Sequence, residues 1–225
     1  MTREASLAKC RYQSNLHSVE TAVADVSGAV RERFDPPVVY PVMQPLRFRE
    51  ERTTQAAGYL LKLRGGRMSY MKLIKLMYFA DRKALLDLGR PITFDQWVSM
   101  PHGPVLSRTY DRIAAEPDPE DSSYWRQFIM TDSANYEVAL IKDAPLDQLS
   151  AAEEEILKSV FDQWGSRSRW DVRDASHELP EYTPTFSSVR IPYRDVLILE
   201  GRTEAEARAI ECDLEAEESL AVLAD

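Results

Sequence analysis

The stretch from Met71 to Leu88 constrains the fold of this chain more than any other. Met71, Leu73, Ile74, Leu76, Met77, Phe79, Ala80, Leu85 and Leu88 recur at helical spacing, yet they cover more than one face of the helix they define. A surface helix shows one apolar stripe, so this helix is expected to be central, with neighbours on several sides. Ser69 stands where an N-cap would, and Gly89 stands just past the end.

Shorter helices are expected around it. Ala56, Ala57, Leu60 and Leu61 form one apolar face that ends at Gly65-Gly66. Pro104 is placed to open a helix at its first position, with Val105, Tyr110 and Ile113 on one side. Ser150 with Glu153, Ser168 with Asp171, and Thr203 with Glu206 each have capping-box spacing. They open helices ending at Gly165, at His177 and in the acidic terminal stretch. Pro192 to Leu199 reads as one more short helix. Phe94 to Met100 reads as extended chain. Residues 124–131 and 135–142, rich in aromatic and β-branched residues around Asp132-Ser133-Ala134, read as two strands. The expected class is α+β, mostly α, with about seven helices around a central buried helix and one small β-hairpin.

Upstream, Leu16, Val19, Val23, Val26, Val30 and Phe34 predict an amphipathic helix. Asp35-Pro36-Pro37 stops it, and Pro41 and Pro45 keep the next stretch extended; Glu116-Pro117-Asp118-Pro119 is a further break. Three parts are therefore expected: an N-terminal helical appendage with a proline-rich linker over 1–46, a main domain over 47–202, and an acidic C-terminal helix over 203–225. No apolar run approaches the roughly 20 residues that span a bilayer, and no signal-peptide core stands at the N-terminus. Two cysteines, Cys10 and Cys212, form no CxxC or Cys/His cluster, which argues against zinc modules. A cytoplasmic protein with no membrane association is expected.

Charge narrows the partners. The chain has 28 Lys and Arg against 37 Asp and Glu, a net of −9. Glu204 to Asp225 holds eight acids and one base, Arg208, and so contributes −7. Lys62 to Arg90 holds eight bases and two acids, a local +6. A globally acidic chain repels nucleic acid, so DNA is an unlikely partner, although the basic segment could bind phosphate or an acidic protein. That segment lacks the order of a phosphate-binding loop.

Three groupings have chemical potential. Asp81, His102 and Ser99 or Ser107 contain the residue types of a hydrolase triad, without a nucleophile elbow to place them. Asp171, Asp174 and His177 lie along one side of a helix and have metal-ligand chemistry, or else simply complement the helix dipole. Trp97, Tyr124, Trp125 and Arg126 fall in expected strands or loops, where they would serve as interface anchors or, as alternative, pack in the core. No catalytic group, metal site or cofactor site is expected from these patterns.

Four ordered motifs, Met71 to Asp81, Gly89-Arg90-Pro91-Ile92, Met100-Pro101-His102-Gly103-Pro104-Val105 and Ser176-His177-Glu178-Leu179-Pro180-Glu181-Tyr182, resemble the SocA-like, or Panacea, domain family of phage-associated proteins over about residues 50–202. The resemblance implies a non-enzymatic antitoxin that neutralises a cognate toxin by direct protein–protein binding. It also implies a possible proteolytic adaptor that delivers its toxin to ClpXP through ClpX. Some relatives carry a fused DNA-binding or zinc domain; residues 1–45 contain neither a helix-turn-helix pair nor zinc ligands. The alternative is a DNA-binding or phage-associated regulator without enzymatic activity. His102, in the third motif, joins the four anchors as an expected partner-binding residue. In the terminal helix Glu211, Glu215 and Glu218 are expected to steer a basic toxin.

Overall fold

Why Met71 to Leu88 is apolar nearly all round is answered by what surrounds it. The computed structural model describes residues 46–115 and 121–224. The expected helix at 16–34, the proline-rich stretch to residue 45 and the break at 116–119 lie outside these residues. Helix α1 (Glu50–Leu63) precedes strand β1 (Arg67–Ser69) and helix α2 (Tyr70–Leu88). The chain continues through β2 (Trp97–Met100), β3 (Gly103–Leu106), α3 (Ser107–Ala114), α4 (Tyr124–Phe128), β4 (Ile129–Asp132) and β5 (Glu137–Leu140). It ends with α5 (Ala151–Trp164), α6 (Arg169–His177), β6 (Val189–Arg190), α7 (Tyr193–Leu199) and α8 (Glu204–Ala224). The class is α+β, mostly α. Pro45–Glu211 forms one compact unit, and α8 from Cys212 onward falls outside it.

Helix α2 packs against α1, α3, α5, α6 and α7 and against strands β1, β3 and β5. Leu73, Leu76, Met77, Tyr78, Ala84 and Leu85 are almost wholly buried. So are three charged residues of the same helix, Lys72, Lys75 and Asp81. Gly89, at φ 72°, ends the helix in the left-handed conformation, where its N–H reaches the Leu85 carbonyl. Ser69 makes no side-chain cap bond, because it is also the last residue of a strand.

The strands correct the expectation of a single hairpin. Two three-stranded antiparallel sheets are present among the described residues, in the orders β1-β5-β4 and β3-β2-β6. In the first, Arg67 pairs with Ala139 and Ile129 with Leu140. In the second, Ser99 faces Pro104 on one side and Val189 on the other. The outer strands β1 and β6 have three and two residues, too short to leave a period-two signature.

Two further local readings change. Pro104 does not open a helix; it lies in β3, the edge of its sheet, where a missing N–H is tolerated. Helix α3 starts three residues later and is capped by the buried Asp95 carboxylate, which accepts from Arg108 N at 2.9 Å and Thr109 N at 2.8 Å. Residues 124–128 are helical rather than extended. Ser123 accepts from Arg126 N at 3.4 Å, and Tyr124 and Phe128, one turn apart, pack with ring centroids 4.9 Å apart. The three capping boxes form as read.

Leu76 has no exposed surface. Leu76→Ala is expected to destabilise the protein by about 2–5 kcal/mol through the cavity it leaves. Urea denaturation followed by circular dichroism measures this; a variant as stable as the parent would contradict the packing around α2.

Candidate functional site

The polar side chains of α2 draw together segments distant in sequence. Lys72 Nζ donates to the carbonyls of Gly165 at 2.6 Å and Arg167 at 2.5 Å. Lys75 Nζ donates to the Pro104 carbonyl at 2.7 Å. Tyr78 and Arg82 both donate to the Glu181 carboxylate, the hydroxyl and Nε each at 2.8 Å to Oε1. Arg82 Nη2 reaches Glu181 Oε2 at 3.1 Å and also pairs with Glu200. Asp81, with no exposed surface, accepts from Ile92 N at 3.0 Å, Thr93 N at 2.9 Å, Thr93 Oγ1 at 2.6 Å and Trp97 Nε1 at 3.2 Å. Burial nevertheless pushes its carboxyl up to about 7.

Gly103 lies at the tightest point of this assembly. Its φ is +94°, and a Cβ there would stand 2.5 Å from Ser176 Oγ, 2.8 Å from His177 Cδ2 and 2.9 Å from Lys75 Nζ. Ser176 Oγ donates to the Arg173 carbonyl at 2.6 Å. His177 stacks on Tyr182 with centroids 4.6 Å apart and 14° between planes, leaving Nε2 buried without a hydrogen bond. Lys75 is 1% exposed, and burial, reinforced by the Arg173 charge, lowers its ammonium to about 7. All four sequence motifs therefore meet along one side of α2: Asp81 with the segment after Arg90, Lys75 with Gly103-Pro104, and Tyr78 and Arg82 with Glu181.

A family model described as antitoxin SocA-like, Panacea domain, matches residues 73–182, a span that holds each of these contacts except those of Lys72 and the Arg82–Glu200 pair. This segment is similar to the Panacea domain. Comparisons with curated proteins and with solved structures returned no match.

The fold does not assemble the other groupings. Asp81 is held by Thr93 and Trp97, Ser99 Oγ accepts from Thr183 N at 3.2 Å, and His102 sits exposed in the β2–β3 turn. These are not triad contacts. Asp171 caps α6 by accepting from Ser168 N at 3.0 Å, and no group of His, Cys, Asp and Glu suited to a metal exists among the described residues.

The expected anchors divide by burial. Trp97 has no exposed surface; its ring meets Tyr78 and Tyr193 edge-on at 5.2 and 4.7 Å while its N–H reaches Asp81. Trp125 is equally buried, with Nε1 unpartnered. Core packing thus replaces the anchor role for both. Tyr124 and Arg126 are half-buried, Arg126 pairing with Asp121 and donating to the Ala115 carbonyl. Glu211 is 5% exposed, which removes it as a free steering charge, and Glu215 and Glu218 are half-buried. Sequence reading passed over two exposed aromatics. Trp170 is 46% exposed on α6, and Phe186, in the loop before β6, is fully exposed. Their only signal is an aromatic in a polar neighbourhood, Trp170 between two arginines and Phe186 among Ser and Thr.

Two outcomes follow from this packing. Gly103→Ala should cost on the order of 2–4 kcal/mol, from left-handed strain plus the clash with Ser176 and His177, read by thermal melting. Lys75 has a folded-state value below its unfolded one, so its burial penalises stability below pH 7 and the penalty fades as pH rises from about 7 toward 10.5. The stability of Lys75→Met relative to wild type should accordingly be more favourable at pH 7 than at pH 10 in paired urea titrations. A gap that does not change with pH would contradict the buried amine.

Proposed function

We propose that this chain is the antitoxin of a toxin–antitoxin pair, neutralising a protein toxin by binding it directly and delivering it to ClpXP through ClpX. The observation that carries this reading is the inward orientation of the motif residues. Lys75, Asp81, Gly103, Ser176 and Glu181 are buried and held by one another's segments, so they serve the framework rather than a reacting molecule. A protein built this way acts through its surface, as an inhibitor does. We read it as non-enzymatic on that basis. His102, Tyr124 and Arg126 retain exposed or half-exposed surface and stay as contact residues in this reading.

The rival reading, a DNA-binding regulator using the basic segment 62–90, loses its support. Lys72 and Lys75 are buried, while Lys62 pairs with Asp143, Arg67 with Glu137, Arg82 with Glu181 and Glu200, Lys83 with Asp87 and Arg90 with Glu153. Of the six bases that are not buried, only Arg64 has no ion pair among the described residues. A neutralised stripe of this kind releases few counterions on meeting DNA.

The test is co-expression with the protein encoded by the adjacent reading frame in a bacterial host. Growth arrest by that protein alone, relieved by this chain, with a complex that co-elutes on size exclusion, is the expected result. Persistent arrest at equal expression would overturn the antitoxin reading. Rescue that is the same with and without ClpX would remove delivery to the protease while leaving inhibition. A mobility-shift assay on the operon's upstream DNA is expected to be blank even at low salt.

A further inference from the structure

We infer that the exposed face of α6 around Trp170 is the anchor that engages an acidic surface of the toxin. This rests on the antitoxin reading and names the chemistry of its interface. Trp170 is 46% exposed, although a tryptophan buries well and α6 has a core side, defined by Val172 and Ser176, that excludes it. The guanidinium carbons of Arg169 and Arg173 each stand 5.0 Å from its ring centroid, within cation–π range. The indole is thereby held outward by neighbours that are themselves interface-prone; Trp and Arg are the residue types that dominate binding energy.

The charge around it is the second observation. Arg64, Arg167 and Arg169 carry no ion pair among the described residues. Lys72 ties them into one neighbourhood: its ammonium is bonded to the Arg167 carbonyl, and its pKa is lowered by burial and then by the Arg64 charge. Two acids lie among them. The Asp171 carboxylate is taken up by the helix cap and Asp174 is paired with Arg173. On a chain of net charge −9, where the 62–90 segment is otherwise neutralised, a group of unpaired guanidiniums beside an exposed indole is a local cationic island. Its complement is a partner surface with carboxylates for the arginines and an apolar slot for the indole. Aromatic and arginine side chains also grip single-stranded nucleic acid, but the acidic chain as a whole opposes a polyanion. The observations favour a protein.

The experiment uses the full chain and the purified toxic product of the adjacent reading frame in biosensor binding at low and high salt. Trp170→Ala should bind at least about thirtyfold more weakly, with Trp170→Phe recovering part of the loss. The Arg167→Glu/Arg169→Glu double variant should bind about tenfold or more weakly, mainly through slower association, and the difference from wild type should shrink at high salt. Arg167 and Arg169 are exposed, so this variant carries the test should Trp170→Ala fail to fold. A wild-type chain that leaves the toxin unbound overturns the antitoxin reading and this interface with it. A wild type that binds, with folded variants binding equally well, overturns the Trp170 interface alone. Binding of a single-stranded oligonucleotide that is lost in Trp170→Ala would also overturn it, assigning the face to nucleic acid.

Discussion

The Asp81 carboxylate, wholly buried and accepting four hydrogen bonds, is the constraint on which the rest of this domain depends. A buried carboxylate is costly unless its oxygens are satisfied, so the segment that supplies the donors must pass beside α2. That segment, Ile92 to Trp97, leads directly into β2 and brings the Trp97 ring against Tyr78 and Tyr193. The same logic repeats along the helix. Lys72 holds the loop after α5, Lys75 the start of β3, and Tyr78 and Arg82 the chain after α6. Apolar burial supplies the driving force for packing around α2, and these polar contacts decide which segment lies where.

That division separates the groups that fix the interior from those that face solvent. Residues that face α2 are committed to framework contacts, whereas Trp170, Phe186 and His102 project from the same elements into solvent. Changes at the projecting positions leave the buried hydrogen bonds untouched. A scaffold of this kind accommodates different binding surfaces at little cost to its fold.

Legibility from sequence followed the range of the interactions. Helix α2 was readable because its apolar excess is local, and so were the capping boxes, whose members lie three residues apart. Strands β1 and β6 were not, because two or three residues leave no period and their pairing partners, around residues 138 and 98, are far away. Pro104 was read as a helix start because a proline there fits either role until Lys75 and Ser99 are seen beside it. At the site, the four motifs were visible as strings while their meeting was not; nothing in the residues around Glu181 announces Tyr78 and Arg82. Trp97 and Trp125 show the same limit, since an aromatic in a short extended or aromatic-rich segment reads alike whether it faces the core or water.

The contacts of α2 also bear on how the chain comes to be folded. Lys72 and Gly165 are 93 positions apart, and Tyr78 and Glu181 are 103 apart. During synthesis, α2 emerges long before these partners, carrying Lys72, Tyr78 and Arg82 with nothing yet to bond them. A nascent chain that has not reached Glu181 gains no stable interior by burying this helix, so the domain closes late and as a unit. On the antitoxin reading proposed above, the interval between translation and closure is time without protection, and its length is written into the sequence separation of these pairs.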